Sequence, residues 1–302
     1  MVLVALLDEE YTIWMRPWFY EKRNPFGTKS PAGAVDEILP EAGRNPPPVS
    51  ADGRGKKADN FLPREGRAWY DADMYIQDQL QEIKSNIAAA EERAGREPGS
   101  VKLLAVSKTF PVEDIMQAYA DGQRLFGENR LQEAMGKIPE MPADCEWHLI
   151  GPLQRNKVRK ALEQGFGLLQ AVDSLRLAEA VSRIAGELGC TARILLEVNV
   201  DGEESKHGFT PAELQELWPQ LVALPQLEIR GLMCIPAPTE DPEGARPAFR
   251  ALRALAEELR TRGPLPLPEL SMGMSHDYAV AVEEGATIVR VGSAIFGKRD
   301  YT

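Results

Sequence analysis

From Lys102 onward the sequence alternates between short apolar runs and amphipathic segments, and the alternation repeats eight times. Near-continuous apolar runs of this length are typical of parallel strands buried on both faces. Strands that alternate with helices predict a parallel sheet covered by helices. The eight predicted strands span residues 102–108, 124–129, 146–151, 168–173, 193–200, 227–235, 269–274 and 287–292.

The segments around these runs have a helical period. Four apolar side chains at steps of four, three and four residues predict a helix before the first strand, ending near Gly95. These side chains are Ile76, Leu80, Ile83 and Ile87. Ser174 and Thr210 are predicted N-caps of the helices that follow the fourth and fifth strands. Helix and strand signals therefore support the same α/β class.

Two architectures can hold such a pattern, a closed (β/α)8 barrel and an open doubly wound sheet. Residues 74–302 number 229, which is within the usual span of the closed barrel. The open sheet usually carries a glycine-rich GxGxxG turn after its first strand, whereas residues 105–111 contain no glycine. The sequence therefore predicts a single (β/α)8 barrel, the TIM barrel, over residues 74–302.

Residues 1–73 differ from the rest of the chain. They hold 14 of the 48 Pro and Gly residues and show no sustained period of 2 or 3.6. We expect an irregular extension outside the barrel, disordered or derived from a start codon assigned upstream of Met74. Three tryptophans, Trp14, Trp18 and Trp69, leave a short partner-binding segment as the alternative.

Charge and composition exclude several classes of function. The formal net charge of -11 argues against a general nucleic-acid binder, and no run approaches the roughly 20 apolar residues of a membrane helix. The three cysteines and three histidines are scattered along the sequence, so we expect neither a disulfide framework nor a metal site. Unpaired cysteines suit a reducing compartment, and we therefore expect a cytoplasmic location.

The acidic pairs Glu257-Glu258 and Glu283-Glu284 are predicted to be solvated helix faces.

In (β/α)8 barrels the reactive groups lie at the carboxyl ends of the strands. The first predicted strand ends in Lys108. Partial burial at the mouth of an apolar barrel disfavours the ammonium, and the free amine that results can attack an aldehyde and hold it as a Schiff base. A lysine that reaches solvent or pairs with a carboxylate such as Glu128 is the alternative.

The last two strands end in groups that suit a phosphate. Met274 ends the seventh strand and Ser275 follows it, although Ser275 also suits an N-cap. Arg290 lies on the eighth strand, and Gly292 and Ser293 end it, where glycine lets backbone N–H groups approach an anion closely. A lysine and a phosphate cradle at one barrel mouth together predict an aldehyde that bears a phosphate.

Eight segments of the sequence, taken in order, resemble the pyridoxal phosphate homeostasis proteins, the YggS or PROSC family. The resemblance runs from about Met74 to Tyr301 and does not include residues 1–73. The segments are AVSKT at 105–109, FGEN at 126–129, WHLIGPLQRNK at 147–157, EVNV at 197–200, SKHG at 205–208, RGLM at 230–233, LSMGMS at 270–275 and VRVGSAIFG at 289–297.

This resemblance implies a barrel like the amino-terminal domain of the fold-type III enzymes of pyridoxal 5'-phosphate (PLP), such as alanine racemase. It implies that Lys108 carries PLP as an internal aldimine. It also assigns the other cofactor-binding residues. Ser275, Gly292 and Ser293 hold the phosphate with Met274 beside them, Arg290 faces the pyridine nitrogen and Asn129 lies near the ring. The sequence departs from the family at His276, where an acidic residue is common, and at Ser293, where threonine is usual.

The resemblance further implies a PLP carrier or buffer in vitamin B6 homeostasis without catalytic turnover. Met233 stands where the racemases have a supporting histidine, and the chain ends at Thr302, before any second domain that would supply a tyrosine base. We expect a monomer that passes PLP to apo-forms of PLP enzymes. Three alternatives are a PLP-dependent racemase-like enzyme, a Schiff-base enzyme acting on a sugar phosphate, and a regulator that binds proteins through its acidic surface or residues 1–73.

Overall fold

The computed structural model of the chain describes residues 69–203 and 206–297. Eight parallel strands pair in sequence order, and the last pairs back with the first, which closes the barrel. The closed (β/α)8 architecture is therefore confirmed, and the open sheet is excluded. The strands are β1 (Lys102–Val106), β2 (Leu125–Glu128), β3 (Glu146–Leu149), β4 (Leu168–Val172), β5 (Ala192–Glu197), β6 (Leu227–Met233), β7 (Glu269–Met274) and β8 (Ile288–Val291).

Helices precede and follow the strands along the described chain. They are α1 (Trp69–Arg93), α2 (Val112–Ala120), α3 (Leu131–Lys137), α4 (Val158–Gln164), α5 (Leu175–Leu188), α6 (Pro211–Val222), α7 (Arg246–Thr261), α8 (Tyr278–Glu283) and α9 (Ser293–Phe296). Short 3-10 turns at Ile138–Glu140, Arg155–Lys157 and Pro242–Ala245 adjoin α3, α4 and α7. The helices cover the outside of the barrel, as a parallel sheet that is apolar on both faces requires.

The helical patterns in the sequence are confirmed. Ile76, Leu80, Ile83 and Ile87 are all buried along one face of α1. Ser174 Oγ accepts from the Leu177 N–H at the start of α5, and Thr210 and Glu213 form a reciprocal capping box at the start of α6. The helix α1 begins at Trp69, five residues ahead of the boundary predicted at Met74, and residues 1–68 of the predicted extension lie outside the described residues.

The first strand is shorter than predicted. It ends at Val106, so that Lys108 lies in the turn that follows instead of on the strand. Thr109 has a left-handed φ of 72°, and the Phe110 N–H donates to Ser107 O at 3.1 Å, which turns the chain toward α2. An apolar pattern alone does not locate such a turn, because the conformation of Thr109 is imposed by its surroundings.

The barrel interior contains a cluster of apolar side chains, and its amino-terminal end is lined by charged ones. Apolar side chains from five of the strands form one buried cluster, which we call the interior cluster. It consists of Leu104, Val106, Leu168, Ala171, Leu195, Met233 and Ile288. At the amino-terminal end a cavity of about 200 Å³ is lined by Lys102, Glu146, His148, Arg193, Arg230 and Glu269, among others. Lys102 Nζ lies 2.6 Å from Glu269 Oε1, so opposite charges are paired there.

One prediction about the surface is wrong. Glu284 is not a solvated residue of a helix face, since it is 4 % exposed and accepts hydrogen bonds from Arg246 and Arg250. The arginines come from α7, whose packing against α8 cannot be derived from the local sequence pattern.

In the described part of the chain, no helix is long and apolar enough to cross a membrane. Over the same residues, no group of three His, Cys, Asp or Glu side chains is placed to hold a metal ion.

Candidate functional site

Lys108 lies at the carboxyl-terminal mouth of the barrel in a turn that α3 braces on both sides. The Lys137 ammonium donates to Ser107 O at 2.8 Å, and a Glu133 carboxylate oxygen accepts from the Thr109 N–H. Lys108 itself is half-buried. The backbone before and after this lysine is therefore held by side chains from one helix, which fixes where its side chain emerges.

Beneath this turn lies a buried carboxylate that the sequence offered as a partner for Lys108. Glu128 Oε1 lies 2.9 Å from Lys137 Nζ and accepts from Ser107 Oγ at 2.7 Å. Burial raises the pKa of the Glu128 carboxyl, and the hydrogen bonds from Lys137 and Ser107 oppose that rise. In this arrangement Glu128 supports the turn through Lys137 and Ser107.

The loops after β7 and β8 form a cluster of hydrogen-bond donors at the same mouth. Ser275 Oγ accepts from the Gly292 N–H at 3.2 Å and from the Ala294 N–H at 3.3 Å. Two backbone donors and one hydroxyl thus converge at one point, and Ser293 lies between the two donors in sequence. We call Ser275, Gly292, Ser293 and Ala294 the donor cradle.

The donor cradle abuts the strand that leads to Lys108. A Cβ atom added at Gly292 would lie 3.1 Å from Val106 O and 3.3 Å from Val106 Cβ. Glycine at position 292 therefore lets this backbone lie close to the end of β1 without a tight side-chain contact. The cradle holds donors and no carboxylate, and it lies beside the turn of Lys108. This donor set fits a phosphate group.

Met274, which is predicted to bind the cofactor, lies in this region, and its backbone N–H already has a hydrogen-bond acceptor. Its N–H donates to Asp277 Oδ1 at 2.7 Å, and its side chain is 37 % exposed. The neighbouring His276 is exposed, and its Nε2 lies 3.0 Å from Glu240 O in the loop after β6. The departure from the family pattern at His276 therefore falls on the outside of the turn.

Arg290 lies on β8, below the mouth, and is 4 % exposed. Its Nη1 donates to Ser271 Oγ at 2.7 Å and its Nη2 to Cys234 O at 2.8 Å. Burial lowers the pKa of this guanidinium, while Cys234, Asp277 and Glu197 oppose the shift. Both hydrogen-bond acceptors are uncharged, so neither of them neutralises the positive charge that Arg290 carries inside the barrel.

Asn129 directly follows β2 and is half-buried. It packs against Gly151, where an added Cβ would lie 2.2 Å from Asn129 O and 2.7 Å from Asn129 Oδ1. Residue 151 must therefore be glycine for Asn129 to keep its place. Asn129, Lys108 and the donor cradle all lie at carboxyl ends of strands and face the same mouth of the barrel.

Several polar residues of the interior were not predicted to take part in the site. Ser271 and Gln170 are fully buried on β7 and β4, and Glu197 ends β5, where burial raises the pKa of its carboxyl and Asp173 adds to the rise. Their sequence signal is a polar residue that interrupts an apolar strand. His148 of β3 is also buried, and it lies inside the barrel between Glu146 and Gln170.

Comparisons with known proteins identify relatives of this chain. The family model described as "Alanine racemase, N-terminal domain" matches residues 79–300. A "Pyridoxal phosphate homeostasis protein" of Aquifex aeolicus is 45% identical over 225 residues, which are 74% of this chain and 98% of the relative. The protein of the same name in Escherichia coli K12 is 40% identical over 227 residues, 74% of this chain and 96% of its own.

Solved structures extend the comparison. PipY of Synechococcus elongatus with PLP bound is 44% identical, with a TM-score of 0.65 over 74% of this chain and 100% of that one. Alanine racemase of Clostridium difficile is 16% identical, with a TM-score of 0.60 over 75% of this chain and 57% of that one. At that identity the likeness to the racemase concerns the fold alone.

Proposed function

The chain belongs to the family of pyridoxal phosphate homeostasis proteins, with the fold of the alanine racemase amino-terminal domain, and we propose that it binds PLP through Lys108 and takes part in intracellular vitamin B6 homeostasis. One observation carries the proposal. Gly292 of the donor cradle packs against Val106, two residues before Lys108, so one ligand can reach both the amine and the cradle.

Each end of the cofactor has a matching group in the barrel mouth. The donors of Ser275, Gly292 and Ser293 suit the phosphate, and the Lys108 amine suits the aldehyde carbon. Leu104 and Val106 of β1 belong to the interior cluster, and Lys108 follows them in the turn at the carboxyl end of that strand. Asn129 and Met274 border the space between them. When bound, PLP supplies an aldehyde that holds amines and a ring that withdraws electrons.

Arg290 limits the chemistry that this ring supports. The buried guanidinium disfavours a second positive charge nearby, so a pyridine nitrogen facing it stays unprotonated. A neutral ring withdraws electrons less strongly, which slows the reactions of amino acids on PLP. Met233 at the end of β6 is fully buried in the interior cluster and offers no proton-transferring group. A neutral ring still allows racemisation, as the resemblance to the alanine racemases implies, so it is the missing proton-transferring group that supports a carrier or buffer without turnover.

The proposal includes a cellular role. A carrier of this kind acts in the cytoplasm as a monomer and passes PLP to apo-forms of PLP enzymes. The racemase-like enzyme and the sugar-phosphate enzyme make the opposite prediction about turnover, and that difference separates them from the carrier.

An absorbance titration tests the attachment of PLP. Wild-type protein mixed with PLP is expected to gain a visible Schiff-base band that borohydride fixes, and peptide mapping should locate the reduced adduct on Lys108. The variant Lys108→Ala should lack the band. The variant Lys160→Ala, which removes an exposed lysine of α4, should keep it. A band that persists in Lys108→Ala would refute the assignment of the lysine, and no band in wild type would favour the sugar-phosphate enzyme.

A second measurement addresses turnover. PLP-loaded protein is incubated with L-alanine and with other amino acids, and the appearance of the D-enantiomer is followed by chiral chromatography. We expect no formation above that of free PLP. Racemisation that is lost in Lys108→Ala would establish the racemase-like alternative instead.

A further inference from the structure

A chain of polar side chains crosses the barrel interior from the carboxyl-terminal mouth toward the amino-terminal end. Arg290 Nη1 donates to Ser271 Oγ at 2.7 Å, and Ser271 Oγ donates to Gln170 Oε1 at 2.7 Å. Gln170 Nε2 lies 2.8 Å from His148 Nδ1, and His148 Nε2 lies 3.1 Å from Glu146 Oε1. The first four side chains are buried, and Glu146 reaches solvent. We call these five residues the polar chain.

The chemistry of its members gives the polar chain one direction. Arginine can only donate, so Ser271 Oγ accepts from Arg290 and gives its own proton to the Gln170 carbonyl oxygen. The Gln170 amide then presents its N–H groups to His148 Nδ1, which must be unprotonated to accept. The imidazole proton is left on Nε2, where it points at the Glu146 carboxylate.

The surroundings offer these groups few substitutes. The interior cluster contributes only apolar side chains to the inside of the barrel. A buried polar group that loses its partner destabilises the fold because nothing replaces its lost hydration, so each bond of the chain holds its neighbours in place. Arg290 is anchored at Nη2 by Cys234 O. Its second anchor, Ser271, is the one that the polar chain orients.

We propose that Gln170 and His148 are positioning residues that hold the Arg290 guanidinium in the cofactor site from across the barrel, with His148 kept as the neutral tautomer protonated on Nε2. This rests on the proposed function, in which Arg290 faces the pyridine nitrogen. Neither residue contacts that site directly. Both act through Ser271.

The test compares two substitutions of a buried glutamine. Gln170→Leu breaks two links of the polar chain while keeping a side chain of similar size. Gln123→Leu is the matched control, because Gln123 is also buried and donates to Leu103 O at 2.8 Å and Leu125 O at 2.6 Å, bonds that lie outside the polar chain. Should Gln170→Leu fail to fold, Ser271→Ala removes the next link with a smaller change.

The first readouts use the apoprotein and do not depend on PLP. Nitrogen-15 correlation spectra of the His148 ring are expected to show the proton on Nε2 in wild type and in Gln123→Leu, and a loss of this preference in Gln170→Leu. The Arg290 guanidinium N–H signals should be resolved in wild type and averaged by rotation in Gln170→Leu. A His148 proton on Nδ1 in wild type, or unchanged Arg290 signals in Gln170→Leu, would overturn the proposal.

The second readouts use the PLP-loaded protein. Gln170→Leu should shift the absorbance maximum of bound PLP and weaken its affinity about tenfold, which corresponds to about 1.4 kcal/mol. Gln123→Leu should do neither. The same spectrum and affinity in Gln170→Leu as in wild type would refute a positioning role at the cofactor. If wild type forms no PLP band at all, the proposed function itself fails, and the apoprotein spectra still decide whether the polar chain fixes Arg290.

Discussion

Ser275 accepts a hydrogen bond from the backbone N–H of Gly292 at 3.2 Å, which joins the loop after β7 to the loop after β8. The Ala294 N–H donates to the same hydroxyl at 3.3 Å. Two backbone N–H groups and one hydroxyl therefore meet in one small volume. The hydroxyl oxygen accepts from both N–H groups, and a phosphate would give these two donors and the hydroxyl proton a charged acceptor.

The hydroxyl of Ser275 should matter for the phosphate and for no other part of the cofactor. In Ser275→Ala we expect the affinity for PLP to fall tenfold to hundredfold, since a hydrogen bond to a charged group contributes about 1.5–3 kcal/mol. The affinity for pyridoxal, which lacks the phosphate, should stay unchanged. Absorbance titrations with both ligands measure this, and Ser275→Thr should retain PLP binding. An equal loss for both ligands would contradict the assignment.

A side chain at position 292 should strain the contact between the donor cradle and β1. In Gly292→Ala the added Cβ would lie 3.1 Å from Val106 O, a backbone atom of β1 that cannot rotate away. We expect a loss of about 1–3 kcal/mol in the free energy of unfolding and weaker PLP binding. The control is Gly136→Ala in α3, where nothing lies within 4 Å and alanine should be neutral or stabilising. Denaturant unfolding of both variants would show whether only residue 292 is sensitive.

Glu284 should contribute stability that depends on pH. Burial would raise its pKa, but hydrogen bonds from Arg246 and Arg250 hold the pKa of this carboxyl below its ordinary value of 4.5. The folded state thus binds fewer protons than the unfolded state, so the contribution is complete above about pH 4.5 and is lost as the pH falls through the lower folded value. Glu284→Gln should cost about 1–3 kcal/mol at pH 7.

The matched control for that prediction is Glu257→Gln. Glu257 is exposed and lies 3.8 Å from Arg253, so its loss should change the free energy of unfolding by less than about 0.5 kcal/mol. Unfolding in urea between pH 3 and pH 7 measures both variants. A difference between wild type and Glu284→Gln that stays constant down to pH 3 would rule out the linkage.

Cys234 should resist alkylation in the native protein. Burial raises the pKa of its thiol to about 12 from an ordinary value of 9.0, so the reactive thiolate is about a thousandfold scarcer than at an ordinary cysteine. With iodoacetamide at pH 8 we expect the half-buried Cys190 to be modified well before Cys234. Mass spectrometry of timed samples measures this, with denatured protein as the control in which all cysteines react. Equal rates in the native protein would refute the burial of Cys234.

Much of the fold follows from neighbours along the chain. Ser174 and Thr210 cap helices because their hydroxyls reach an N–H three residues later, a distance that the local sequence contains. The strand order also follows, because short connections between alternating strands and helices favour neighbouring strands in the sheet. The same reasoning predicts Lys108 at the barrel mouth. The strand itself ends at Val106, two residues before Lys108, and the chain then turns through the left-handed Thr109.

The sequence by itself therefore determined the closed barrel, its strand order and the residues that stand at its mouth. Only the tertiary structure decided which distant polar groups meet. Ser271 and Gln170 are 101 positions apart and join inside the barrel, and Glu284 is buried against arginines of α7. The physical reason is that side-chain alternation fixes which face a residue takes, whereas strand register and barrel closure fix its depth and its partners.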